Sequence, residues 1–408
     1  MSAKGMSKRK RQQRQPQGMG MARLKGAVEQ ARLNQDGVLL LSVGLLLGIG
    51  IIMVASASLP LVASKGEPMR YVNRHLLALF LGGMGALALY FTPVRWWEKA
   101  STWLYVIGLG LLLLVFIPGL GLGAKGATRW VAVGPFTFQA SEFMKLFIVL
   151  YMAGYVVRRQ LEVAHTVWGF IKPLIVLLAA CVLLMLQPDF GTTTVLLATA
   201  FGMLFLAGAP LWQFALLILL AAGALGGLVL MNEERISRVT SFLNPWADPQ
   251  GAGYQLLNAL IAFGRGEWTG VGLGNGIQKQ FYLPEAHTDF VMAVIGEEFG
   301  LMGTLLVIVL FSLVIWRAFS IGAQAEQRGA RYAAYVAYGL GLWLGMQAFI
   351  NIGVNMGLLP TKGLTLPFIS YGSNSLIVCC LAVGMLLRIH QENGQTDVLD
   401  KEGAWQRA

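Results

Sequence analysis

Charge is scarce in this sequence. Asp, Glu, Lys and Arg make up only 12% of its 408 residues, against 56% hydrophobic. An ordinary globular chain carries about 25% charged residues. The shortage excludes a soluble domain of ordinary make-up and points to a polytopic membrane protein. Cysteine is nearly missing too. Cys181, Cys379 and Cys380 all fall in apolar stretches without metal-ligand spacing, so neither a disulfide framework nor a cysteine metal site is expected. The glycine-rich stretch 251–276 matches neither the phosphate-loop pattern nor a dinucleotide-binding fingerprint. No cleavable signal peptide is expected, because the first apolar stretch is too long and lacks a small-residue cleavage site. The charge that is present is lopsided, at +11. A basic balance can signal nucleic acid, but nine Lys and Arg residues crowd between Lys4 and Arg32, ahead of the first apolar stretch. Residues 1–36 therefore read as a disordered cytoplasmic tail drawn to anionic lipid, with no nucleic-acid partner.

Backbone in lipid must satisfy its own hydrogen bonds, so spanning segments are helices of roughly 20 residues. Ten candidates run about Gly37–Ser58, His75–Phe91, Ser101–Ile117, Ser141–Val157, Phe170–Leu186, Asp189–Gly208, Leu211–Met231, Phe290–Trp316, Ala330–Leu359 and Leu366–Arg388. The expected fold is all-α: a polytopic integral membrane protein with about ten transmembrane helices and one large extracytoplasmic loop. Residues 37–388 form the membrane domain, the loop covers 232–289, and 389–408 are a second cytoplasmic tail. The stretch ahead of Ala140 is expected to be short and irregular. An even count puts both termini on one side. With the N-terminus inside, twenty Lys and Arg residues lie in inner segments and ten in outer loops, so the termini face the cytoplasm and the long loop faces outward. The turn at Gln187–Pro188 decides that parity. Missing it would flip every later loop.

Polar residues cluster at few places. Arg129-Trp130 sits at a membrane interface. Ser141, Glu142 and Lys145 open the fourth span, and Glu142 and Lys145, three apart, share a helix face and can pair. A charge one turn inside a span costs several kcal/mol unless it faces protein or a watery cavity, so Lys145 suggests anion contact as well as an ion pair. Pro188-Asp189 reads as a tight turn with an Asp cap. Residues 251–276 hold eight glycines, fitting either a flexible loop or a backbone cradle for an anion. Arg235, Arg238 and Arg265 are either solvated or headgroup contacts. Asn351 and Asn355 share a helix face, as in polar helix packing. Pro360 to Ser375 breaks a span at its outer end, and bundling of helices eight to ten would bring Lys362 near Asp289.

The densest cluster is Leu283-Pro284-Glu285-Ala286-His287-Thr288-Asp289-Phe290. Thr288 or Asp289 could simply cap the eighth helix. Glu297 and Glu298 follow, about 12 Å further along the axis, too far to share a proton with Asp289. They read as buried partners for an internal cation or polar network. Asp289 alone sits at the boundary, within reach of a water-soluble group.

Gly126–Trp130 with Gln139–Lys145, Leu283–Phe290 with Gly296-Glu297-Glu298, and Leu358–Tyr371 together resemble the SEDS family (shape, elongation, division and sporulation), the polytopic cell-wall polymerases of bacteria. The likeness covers nearly the whole membrane body and is strongest through Ala286-His287-Thr288-Asp289-Phe290. This sequence departs from the family pattern at Thr137, Ala140 and Ser373-Asn374. The resemblance implies a glycosyltransferase that polymerises lipid II, a disaccharide-pentapeptide on undecaprenyl pyrophosphate, into β-1,4 glycan during division. It implies that Asp289 is the essential residue, a base for the acceptor hydroxyl. Arg129, Trp130, Glu142, Lys145, His287, Lys362 and Ser370 are the expected substrate-binding residues. Arg129, Lys145, Lys362 or a bound divalent cation would offset charge on the leaving pyrophosphate. The implied partners are a single-span class B penicillin-binding protein and other division proteins, at the septum of the bacterial inner membrane. A lipid II flippase and a division scaffold are the competing functions.

Overall fold

The computed structural model describes residues 36–63, 69–124, 127–133, 136–219, 242–251 and 253–405. The basic tail to residue 35, Lys65, Lys125-Gly126, Gly134-Pro135, the seventh span beyond residue 219, and Arg235 and Arg238 lie outside the described residues.

The chain is helical, with one small sheet. Helix α1 is Gly37–Ala63, α2 Arg70–Phe91 and α3 Val94–Leu114. The stretch that follows departs from the irregular loop expected there. Strands β1 (Gly121–Ala124), β2 (Ala127–Val133) and β3 (Phe136–Phe138) form an antiparallel sheet in the order β1-β2-β3. β-branched and aromatic residues such as Thr128, Trp130, Val131 and Phe138 suit a pleated surface, and three strands suffice where two would not. The short strands are easily lost between long apolar runs.

Helices α4 (Ala140–Arg158), α5 (Gln160–His165), α6 (Val167–Leu186) and α7 (Phe190–Leu206) follow. Residues 211–219 are helical. Helix α8 (Tyr254–Gly266) lies within the long loop, ahead of α9 (Val291–Gln327), α10 (Arg331–Asn355) and α11 (Ser373–Trp405). Among the described residues, seven helices are long and apolar enough to cross a membrane. Of the other expected spans, α3 carries Arg95, Glu98 and Lys99 in its first turns, and α7 has only 17 residues. The last span starts later than expected because Pro367 and the Ser370–Gly372 turn stay outside the helix. It also runs past Arg388 into the segment set apart as a tail.

Helices α4 and α10 are innermost, 78% and 72% buried across their apolar windows, whereas α2 is 17% buried and faces outward. The connections collect at two ends. At one, Asp36 caps α1 through Leu39 N–H and pairs with Arg317 at 2.7 Å. Arg331 reaches Gln160, Glu392 accepts from Val94 N–H, and Asn393 donates to Ile321 O. At the other end meet the sheet, the α6–α7 turn, residues 278–289 and residues 360–372. Arg129 on β2 donates to the carbonyls of Gln187 and Pro188, which puts that turn on the sheet's side and supports the alternation read from the sequence.

Helix α9 is broken at Gly300, whose φ is +65° and ψ −160°. The loop after α8 fills the break. Val271 and Gly272 N–H donate to the carbonyls of Glu297 and Glu298, while Leu301 and Met302 N–H donate to Glu267 and Trp268. A broken helix at membrane depth is tolerated when protein supplies the missing partners. Gly270, at φ +82°, lies so close that a Cβ would collide with the Glu298 carbonyl. Gly266, Gly270 and Gly276 are therefore packed against α9, whereas a Cβ on Gly264 or Gly274 would meet nothing within 4 Å.

Candidate active site

Asp289 lies in the turns just ahead of α9 and is half-buried. Its backbone carbonyl accepts from Asn351 and Asn355, each at 2.9 Å. Its carboxylate lies against Gly363, where a built Cβ would sit 3.0 Å from Asp289 Oδ2. On Gly363's other side stands Gly191, whose built Cβ would lie 3.0 Å from the Gly363 carbonyl. The first turn of α7, the 362–364 segment and Asp289 thus form one contiguous layer. Lys362 is exposed, with Nζ 4.9 Å from the centre of the Phe190 ring. Arg129, half-buried, holds the same Gln187–Phe190 corner from the sheet. Asp189 caps α7 by accepting from Thr192 N–H, as its sequence context suggested. A carboxylate and two accessible cations therefore share one end of the helix bundle.

Gly363 avoids the left-handed backbone region, so alanine fits its backbone and only the methyl matters. Gly363→Ala should push the Asp289 carboxylate by a few tenths of an ångström and cut turnover severalfold, since even 1 Å of misplacement can cost about a hundredfold. Initial-rate assays on the folded variant check this.

Other expected site residues have different surroundings. Lys145 and Glu142 are 2% and 6% exposed and pair at 2.8 Å. Lys145 also donates to Gln347 Oε1 at 2.8 Å and lies 5.5 Å from the centre of the Trp343 ring. Gln347 passes the chain to Thr365 O, and Thr365 Oγ1 bonds Ser375 Oγ at 2.9 Å. In this conformation the pair ties α4 to α10 and the 365–375 segment. Burying the charges is tolerable because they are paired with each other and Lys145 is also hydrogen-bonded to Gln347. Ser370, expected to bind substrate, is buried. Its hydroxyl accepts from Leu366 N–H and donates to Thr288 O, so it secures the segment carrying Asp289. His287 is half-buried, with its ring 5.1 Å from that of Tyr71 and 5.7 Å from that of Tyr371. Tyr71 carried no signal in the sequence beyond its place at a helix end. Trp130 is half-buried on β2, opposite Leu122.

Glu297 and Glu298 have internal cations. Arg265 pairs with Glu297 at 2.9 Å, and the N–H groups of Ile277 and Gln278 donate to the same carboxylate. Lys279 pairs with Glu298 at 2.5 Å, and both bond Ser56 of α1. Arg265 is thus committed to a protein carboxylate. Among the described residues, no group of three or more His, Cys, Asp or Glu side chains is placed to hold a metal ion.

The family model for the FtsW, RodA and SpoVE cell cycle proteins matches residues 37–395. The chain belongs to the FtsW/RodA/SpoVE family. Among its relatives are proteins named probable peptidoglycan glycosyltransferase FtsW. That of Allochromatium vinosum is 55% identical over 89% of this chain and 91% of its own length. That of Nitrosococcus halophilus is 54% identical over 85% of this chain and 90% of its own length. A chain from a solved peptidoglycan synthase complex, described as coordinating polymerization and crosslinking, aligns with a TM-score of 0.72 at 28% identity. The alignment covers 88% of this chain and 99% of that one. The rod shape determining protein RodA of Thermus thermophilus aligns with a TM-score of 0.65 at 28% identity, over 88% of this chain and 98% of its own. The FtsW/RodA/SpoVE match therefore spans the membrane body, from α1 into α11, and takes in every expected site residue.

Proposed function

We propose that this chain is a peptidoglycan glycosyltransferase that polymerises lipid II into β-1,4 glycan for the division septum. The observation that carries this reading is the half-buried Asp289 carboxylate in one layer with Arg129 and Lys362. In this reading the acceptor sugar's 4-hydroxyl attacks the donor's anomeric carbon while Asp289 takes the hydroxyl proton. The bond to the lipid pyrophosphate breaks, and Arg129 and Lys362 stabilise the charge that develops on it. Attack from the face opposite the leaving group inverts the anomeric carbon and gives the β linkage. Trp130 and His287 would then offer half-buried ring surface to the sugars. With the basic tail inside, the site end faces outward, where lipid-linked disaccharide is presented and a single-span class B penicillin-binding protein could crosslink the product.

The experiment is to supply lipid II to the purified chain, with its transpeptidase partner, in liposomes. Ladders of polymerised glycan are the expected result. Headgroup movement across the bilayer without polymer would favour a flippase. Full cell division supported by Asp289→Ala would favour a scaffold.

A further inference from the structure

We propose that Asn351 and Asn355 are positioning residues for the Asp289 carboxylate, with Asn355 standing in for a peptide group of the helix that follows. The proposal rests on the assignment of Asp289 as the base. In a continuous α-helix the N–H of Ala293 would donate to the carbonyl of Asp289, four residues back. Here the Asn355 amide is inserted between them. Its Oδ1 accepts from Ala293 N–H at 3.1 Å, and its Nδ2 donates to Asp289 O at 2.9 Å. Ala293 N–H also contacts Phe290 O at 3.1 Å, a tighter turn that leaves Asp289 outside the helix. The second lone pair of the Asp289 carbonyl takes Asn351 Nδ2 at 2.9 Å.

The neighbouring carbonyls are held in the same way. His287 O accepts from Tyr371 N–H at 2.9 Å, and Thr288 O from Ser370 Oγ at 2.5 Å. On the donor side, the N–H groups of Thr288, Asp289 and Phe290 all point at Glu285 O, at 3.1, 3.1 and 3.2 Å. The backbone of Asp289 is therefore fixed on both sides, and its carboxylate leaves a rigid stem. The chemistry demands asparagine. An amide offers a donor and an acceptor together, an ionised aspartate only accepts, and leucine does neither. Asn351 and Asn355 are 2% and 0% exposed, so they act through Asp289 without touching substrate.

The test compares wild type with Asn355→Leu and Asn351→Leu. The second keeps the Asn355–Ala293 bond and is the milder change. Thermal midpoints and lipid II kinetics are measured on the intact, partner-bound protein. The expected result is folded protein with unchanged KM, and kcat lower by about tenfold for Asn351→Leu and about a hundredfold for Asn355→Leu, the scale of an ångström-sized misplacement. Unchanged kcat in the folded variants, a loss confined to KM, or failure of both to fold would overturn the proposal. Asp289→Asn run in parallel separates the two ideas. Activity retained there removes the base assignment, whereas inactivity there beside full activity of the asparagine variants removes only the positioning role.

Discussion

Asp289→Asn should reduce glycan synthesis by about a hundredfold to ten-thousandfold, the usual contribution of a positioned general base, while leaving the thermal midpoint close to wild type. The amide has nearly the carboxylate's shape but cannot take the proton. The fold should tolerate it because the bonds that hold this segment go to Asp289's backbone N–H and carbonyl, through Glu285, Asn351 and Asn355. Loss of synthesis should therefore appear in kcat with the protein folded. Lipid II polymerisation and thermal unfolding, measured on one preparation, check both halves.

Lys279→Met should be the most destabilising single change outside the site. Lys279 and Glu298 are 5% and 1% exposed, and Ser56 of α1 bonds both. Deleting the lysine strands a buried carboxylate, and breaking such a pair costs about 3–5 kcal/mol. The loss would free the 267–283 loop from α1 and from the break in α9, a short way from Asp289. Lys279→Met should lower the thermal midpoint in detergent and open the loop to protease. Adding Glu298→Met should restore most of the stability, because two apolar side chains of similar volume need no partner. A wild-type midpoint for Lys279→Met alone would show that the pair contributes nothing.

Much of this was legible in the sequence, for physical reasons that differ from place to place. The long spans follow from apolar length, and the placing of Asp289 at a boundary follows from a carboxylate ahead of an apolar run. The internal role of Glu297 and Glu298 follows from charge inside a span, although nothing local named Arg265 and Lys279 as partners. The four-residue spacing of Trp343, Gln347, Asn351 and Asn355 marks one face of α10, but only the fold reveals that this face grips residues 289, 364 and 365. Lys145 points to an anion because a charge inside a span needs a partner, whereas Ser370 is expected at the site through the resemblance alone. Their partners, Gln347 and the Thr288 carbonyl, come from segments distant in sequence, where local reasoning has no reach. The sheet escaped notice because β1 and β3 have only four and three residues, and in the seven-residue β2 the apolar residues Trp130 to Val133 run together instead of alternating.

The most direct measurement is the pH dependence of kcat/KM for lipid II polymerisation by wild type and by Asp289→Asn. A carboxylate acting as base must be ionised, so wild-type kcat/KM should fall as the medium is acidified, while the variant's small residual rate should lack that limb. Wild-type rates from Asp289→Asn, or an identical acid limb in both proteins, would contradict the assignment of Asp289 as the base.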